Sequence, residues 1–188
     1  MPEQQLDELA ARFRDAMAAV CTPVAVVTAM DGERPHGSTV SAFASLSMAP
    51  PSVLVSLDRG SDLLGLVLES GTFGMNVLGS AQSALAGQFA RKGPEKFQDV
   101  SWRMDRGVPR IADVPHWVAA VVMETLDVAD HTVVFGRVVD IASETIPPLT
   151  YHGRVFGTHA ALPPTPTTTG RTPTTTGRTP TTTGRTHR

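Results

Sequence analysis

A ribbon of short hydroxyl side chains runs through Ser38, Thr39, Ser41, Ser45 and Ser47, with Phe43 among them, and ends at Pro50-Pro51. Such residues fill a core poorly, because a hydroxyl contributes little burial and needs a hydrogen-bond partner. They suit a different task, the presentation of hydroxyls and backbone amides along a flat, polar-edged ligand. Further along, Arg91-Lys92-Gly93-Pro94-Glu95-Lys96-Phe97 forms a compact cationic stretch. Adjacent cations after a helix can clamp a phosphate, arginine through its planar fork. The same charges can also do no more than complement a helix C-terminus. Asp130-His131 lies between two apolar strands. There the imidazole can donate to a ligand amide or carbonyl, or satisfy a local turn bond. Asp58-Arg59-Gly60-Ser61-Asp62 is a turn that opens a helix, suited to an anion or to plain capping.

Several chemistries find no support. No Gly-x-Gly-x-x-Gly opens a helix, and no phosphate loop ends in Gly-Lys-Ser/Thr. The six histidines show no i, i+4 pairing around a helical glutamate, and the single cysteine, Cys21, permits neither a thiolate cluster nor an internal disulfide. No metal site is expected. No serine stands in a Gly-x-Ser-x-Gly elbow, so the serines read as hydrogen-bonding groups rather than nucleophiles.

The chain has 188 residues, 41% of them apolar, enough for one ordinary domain. Net charge is −2, unevenly placed. The stretch from Pro163 onward holds Arg171, Arg178, Arg185 and Arg188 and no acid, so the rest carries −6. A body of that sign is a poor nucleic-acid binder. No run approaches the roughly 20 apolar residues that span a bilayer, and the first residues do not resemble a signal peptide. A cytoplasmic location without membrane attachment is the expectation.

The elements that must position these groups can be read from periodicity. Leu6, Leu9, Phe13, Met17 and Val20 recur at three- and four-residue steps, which predicts a helix over Gln5–Val20. Val24–Thr28 predicts a strand. The hydroxyl ribbon reads as a single strand turned at the prolines into a second, Val53–Leu57. Ser61 and Asp62 cap a helix through Glu69, Thr72–Leu78 reads as a strand, and Ser80 caps a helix to about Ala90. A loop with a short helical turn follows over Arg91–Asp99. Trp117–Leu126 and Thr132–Ile141 pair as a hairpin, and Tyr151–Phe156 forms a last short strand or turn. About seven strands with short connections favour an antiparallel barrel over a parallel sheet. This globular domain is expected to span residues 1–162. From 163 to 188 the composition changes: Thr-Pro-Thr-Thr-Thr-Gly-Arg repeats in tandem at 165–171, 172–178 and 179–185. Lacking apolar residues beyond proline, that tail is expected to be disordered.

The order of the motifs adds more than any one of them. From Phe13 to Phe156 the chain resembles the flavin reductase family of the FMN-binding split barrel, the small NAD(P)H:flavin oxidoreductase components of two-component monooxygenases. The specific matches are the Gly37–Ser47 ribbon with Pro50-Pro51 and Val53–Leu57, and Ala129-Asp130-His131 leading into Thr132–Val138. Phe13–Thr28, Phe73–Leu78, Phe89–Gly93 and Pro148–Phe156 fall in the family's order. Ala129 departs from the family's frequent glycine, and the tail has no counterpart.

The resemblance implies a mainly β, Greek-key-like split barrel with a few helices, forming a homodimer. It implies FMN or FAD as flavin, NADH or NADPH as co-substrate, and a separate monooxygenase as partner. Thr39, Val40, Ser41 and Ala42 would lie along the isoalloxazine ring, with Ser45 and Leu46 continuing that wall. Ser56 and Leu57 would meet the pyrimidine side or the ribityl chain. Ser61, Arg91 and Lys92 would hold the phosphate, Phe97 would close the loop, and His131 would meet the nicotinamide. Hydride transfer between the nucleotides needs no acid–base dyad from the protein. A flavin- or heme-binding carrier or sensor without turnover is the alternative on the same barrel. An oxidase acting on pyridoxamine phosphate would need a second cationic cluster, and none is evident outside Arg91–Lys96.

Overall fold

The computed structural model describes residues 3–163. The threonine-rich repeats lie outside the described residues. The chain begins with α1 (Glu3–Ala18), followed by β1 (Thr22–Pro23), β2 (Ala25–Asp31), β3 (Arg34–Val40), β4 (Phe43–Met48) and β5 (Pro51–Asp58). Next come α2 (Asp62–Ser70), β6 (Thr72–Val77), a 3-10 turn (Ser80–Gln82) and α3 (Ser83–Phe89). Two hairpins follow, β7 (Trp102–Asp105) with β8 (Val108–Ile111) and β9 (His116–Val128) with β10 (His131–Ser143). The last strands are β11 (Leu149–His152) and β12 (Val155–Thr158).

Seven strands form one antiparallel sheet in the order β3-β2-β6-β9-β10-β5-β4. Its two edge strands, β3 and β4, are consecutive in sequence and joined only by Ser41-Ala42. A sheet whose opposite edges are linked by two residues must curl until those edges meet. At the link, the Ser56 N–H donates to the Ala42 carbonyl at 2.9 Å, which carries the β4–β5 ladder one residue beyond Phe43. The hydroxyl ribbon is therefore two strands and not one. It breaks at Ser41, and its halves lie on either side of the split in the barrel.

The curl encloses one apolar cluster, with Val27, Val55, Val67, Phe73, Val118 and Val134 at its centre. The other face of the sheet packs a second cluster, with Val26, Leu78, Phe89, Val108, Trp117 and Leu149. The alternation of Val26 and Val27 between the two clusters follows from the period of two along a strand. Between β2, β6 and β8 sits one buried polar knot. The Asn76 amide donates to the Val26 carbonyl at 3.2 Å and to Thr28 Oγ1 at 3.2 Å, and its oxygen accepts from the Ile111 N–H at 2.8 Å.

Twelve strands are present among the described residues, against about seven expected. The additions are short. β7–β8 turns at Arg106-Gly107, both at positive φ, and β11–β12 turns at Gly153-Arg154, also at positive φ. The helix expected from Ser80 instead starts as a 3-10 turn, where the Gln82 side chain accepts from the Gly79 N–H at 2.8 Å. α1 has the expected apolar stripe, yet Leu6, Leu9, Phe13 and Met17 are all exposed, Phe13 at 64%. Contacts at its C-terminal end secure it. Arg154 donates to Asp15 at 2.6 Å, and the Gly153 N–H donates to the Ala18 carbonyl at 2.7 Å. No helix among the described residues is long and apolar enough to cross a membrane.

Candidate functional site

The split in the barrel is a groove of about 250 Å³. Ser38–Val40 of β3 and the Ser41-Ala42 link form one wall, Ser56–Asp58 of β5 the other, and Ser61, Leu63 and His131 the ends. Small and hydroxyl residues make up most of this lining, where the edge strand β3 passes β5, an interior strand paired with β10 and β4. The Thr39 hydroxyl is not free for a ligand: it donates to the Ala86 carbonyl of α3 at 2.7 Å.

That bond marks a close approach. A Cβ placed on Gly37 would stand 3.1 Å from both the Phe89 ring and the Val27 carbonyl oxygen, so only glycine lets α3 lie this tightly on β3. The docking carries the loop after α3 over the groove. Past Ser38, Asp58 and Ser61 the groove widens into a cavity of about 430 Å³, whose walls include His36, Asp62, Arg91, Lys92 and Lys96. Beyond the cationic loop lies a further cavity of about 540 Å³, reached past Gln88, Gln98 and Asp99.

The electrostatics follow from burial and neighbours. Burial holds the half-buried His36 imidazole below its ordinary value, and the Lys96 charge pushes the same way; Asp62 opposes both. Burial also lowers Lys96, again against Asp62. Ser61 caps α2. Its hydroxyl donates to the Asp58 carbonyl at 2.8 Å and accepts from the Leu64 N–H at 3.3 Å. Beside Asp58, the β9–β10 turn puts Ala129 at φ 53, a left-handed conformation that explains a preference for glycine there. His131 pairs with Asp58 in the ladder, and its Nδ1 lies 2.8 Å from Asp130 Oδ1. Nε2 is thereby the ring nitrogen left for a ligand. That contact holds the exposed Asp130 carboxyl below its usual range.

The structure thus brings Thr39, Val40, Ser41, Ala42, Ser56, Leu57, Ser61 and His131 around one groove, with Arg91 and Lys92 at its cationic end. It places three others elsewhere. Ser45 faces a separate cavity with Val53, Val138 and Ile141. Leu46 is exposed on the edge strand β4. Phe97 packs edge-on to Phe89 at 4.8 Å and to Trp102 at 5.7 Å, within the second core cluster. Sequence reasoning put Asp58 and Lys96 in candidate anion-binding motifs without giving either a role of its own, and it missed His36. The available signal was the two-residue step from Ser38 back to His36, which puts both on one face of a strand. No cluster of metal-ligating side chains occurs among the described residues.

A curled antiparallel sheet with a split lined by small and hydroxyl residues and a cationic end defines the class of protein. Residues 17–160 match the flavin reductase like domain, and the chain belongs to that family. It is 37% identical over 146 residues to "FMN reductase (NADH) SmoA" of Agrobacterium fabrum (strain C58 / ATCC 33970), covering 77% of this chain and 83% of that protein. It is also 37% identical over 128 residues to a "Probable flavin reductase" of Rhizobium meliloti (strain 1021), where the match covers 67% of this chain but 41% of the longer relative. Among solved structures, a nitrilotriacetate monooxygenase component B homolog from Mycobacterium thermoresistibile superposes with a TM-score of 0.79 at 27% identity, covering 85% of this chain and 93% of that one. The split-barrel architecture is that of these flavin reductases.

Proposed function

We propose that this protein is an NAD(P)H:flavin oxidoreductase that reduces FMN or FAD with NADH or NADPH and supplies reduced flavin to a separate monooxygenase. The observation that carries this is the continuity of the groove, lined mostly by small and hydroxyl residues at one end and by Arg91, Lys92 and Lys96 at the other, in a chain of this family. Bound flavin takes up a hydride from a dihydronicotinamide, and that chemistry is the nucleotides' own.

The donor set suits such a ligand. The backbone of Thr39, Val40, Ser41 and Ala42, on the edge strand and its link, presents oriented dipoles to a planar ring, positioned before it arrives, and Ser56 and Leu57 form the facing wall. Arg91 and Lys92 take the phosphate with charge-assisted bonds. Ser61 acts by fixing the start of α2, since its hydroxyl is already engaged on both sides. Phe97 acts at one remove by wedging the base of the cationic loop between Phe89 and Trp102. Ser45 and Leu46 extend the wall along β4, outside the groove. His131, steadied by Asp130, offers Nε2 to the carboxamide of the nicotinamide. The names of the relatives favour turnover over a carrier or sensor role.

The exposed stripe of α1, together with Met123, Leu126 and Ile141 on the β9–β10 arm, supports assembly as a homodimer. The test of function is consumption of NADH or NADPH by purified protein with FMN or FAD added. Flavin-dependent oxidation is the expected result. A rate equal to that of nicotinamide and flavin without protein overturns the reading.

A further inference from the structure

The cationic end of the groove contains a group that neither the fold nor the proposed reaction requires. His36 sits on β3, two residues before Ser38, and lines the same cavity as Arg91, Lys92 and Lys96. The residue is half-buried in the wall of that cavity. No hydrogen bond or ion pair among the described residues engages it.

We infer that His36 is a proton-linked member of the phosphate site, neutral while the groove is empty and protonated when a dianionic phosphate enters beside Arg91, Lys92 and Lys96. This deepens the flavin-binding reading and rests on it. The charges facing His36 come from every neighbouring element: Lys96, Arg91 and Lys92 from the loop after α3, Asp62 from α2, Asp58 from β5, and Asp31 and Arg34 from the β2–β3 turn. Before a ligand arrives, desolvation and Lys96 disfavour the charged ring and outweigh Asp62. A phosphate dianion reverses that balance by adding two negative charges within the same cavity.

The sign follows from linkage. A group protonated in the complex and neutral in the free protein takes up a proton on binding, so affinity falls as pH rises between its two titration points. For one proton the slope is at most about tenfold in Kd per pH unit. The phosphate's own second ionisation, near pH ~6, has the opposite sign and is complete above neutrality. The two effects therefore separate at mildly alkaline pH. Riboflavin shares the ring but lacks the phosphate, so its binding should carry no proton.

The experiment is isothermal titration calorimetry of the full chain with FMN and with riboflavin, at one mildly alkaline pH in buffers of different ionisation enthalpy. The expected result is net proton uptake with FMN, none with riboflavin, and none with FMN in His36→Gln. FMN binding to the wild-type protein without proton uptake overturns the His36 role alone. Uptake that persists in His36→Gln assigns the proton elsewhere and also overturns it. Failure of both flavins to bind the wild-type protein overturns the flavin reading and this inference together.

Discussion

The two ends of the groove are built from different materials. The neutral end is strand. Its backbone is held by the β3 and β5 ladders, by the Ser56–Ala42 bond that extends the β4–β5 ladder into the link, and by the Thr39–Ala86 bond to α3. The cationic end is loop. Arg91 and Lys92 are exposed and form no ion pair among the described residues. A preorganised backbone selects a ring by shape and dipole at little reorganisation cost. Unpaired exposed cations supply affinity for a phosphate, and salt screens them. The neutral end should therefore decide which ring binds, and the cationic end how tightly a phosphorylated form is held.

This division can be strained at its joint, at its nicotinamide end and at its turn. The joint is Gly37. Gly37→Ala would press a methyl into the Phe89 ring and the Val27 carbonyl, and should cost about 1–3 kcal/mol of stability. Because α3 carries the cationic loop, FMN affinity should fall more than riboflavin affinity. Thermal unfolding and flavin titration read the two effects, and an unchanged melting temperature would show that the close approach is not needed. A smaller effect is expected at His131. Loss of one hydrogen bond in His131→Ala should raise KM for the reduced nicotinamide roughly tenfold while KM for FMN stays near its starting value. A rise confined to FMN would move His131 to the flavin. The smallest change is a gain. A left-handed alanine costs about 1–2 kcal/mol, and the extra backbone freedom of an unfolded glycine offsets part of its relief. Ala129→Gly should therefore stabilise by roughly 0.5–1 kcal/mol in a denaturant melt, leaving flavin binding alone.

Much of this architecture is legible in the sequence where local pattern and burial agree. The β-branched run at Val24–Thr28, the capped helix from Ser61 and the long hairpin around Asp130-His131 formed within a few residues of where periodicity and turn chemistry put them. The break at Ser41-Ala42 was not legible, because its cause is the closure of a sheet whose partners are remote in sequence. The hairpin at Trp102–Ile111 is short, carries Arg103, Asp105 and Arg110, and contains a proline, so strand propensity is weak there; its clear mark is Arg106-Gly107. Part of the hydroxyl ribbon lines the groove, but Thr39, like the cap residue Ser61, spends its hydroxyl on the scaffold. Phe97, which the resemblance implies closes the cationic loop, packs edge-on to Phe89 and Trp102 through contacts remote in sequence.

The division between ring and phosphate is tested most directly by titrating FMN and riboflavin into the wild-type protein and into Arg91→Ala/Lys92→Ala. The expected result is a loss of about 1.5–3 kcal/mol for FMN, roughly ten- to a hundredfold in Kd, with riboflavin affinity unchanged. Equal weakening of both flavins, or no binding of either to the wild-type protein, would contradict the account.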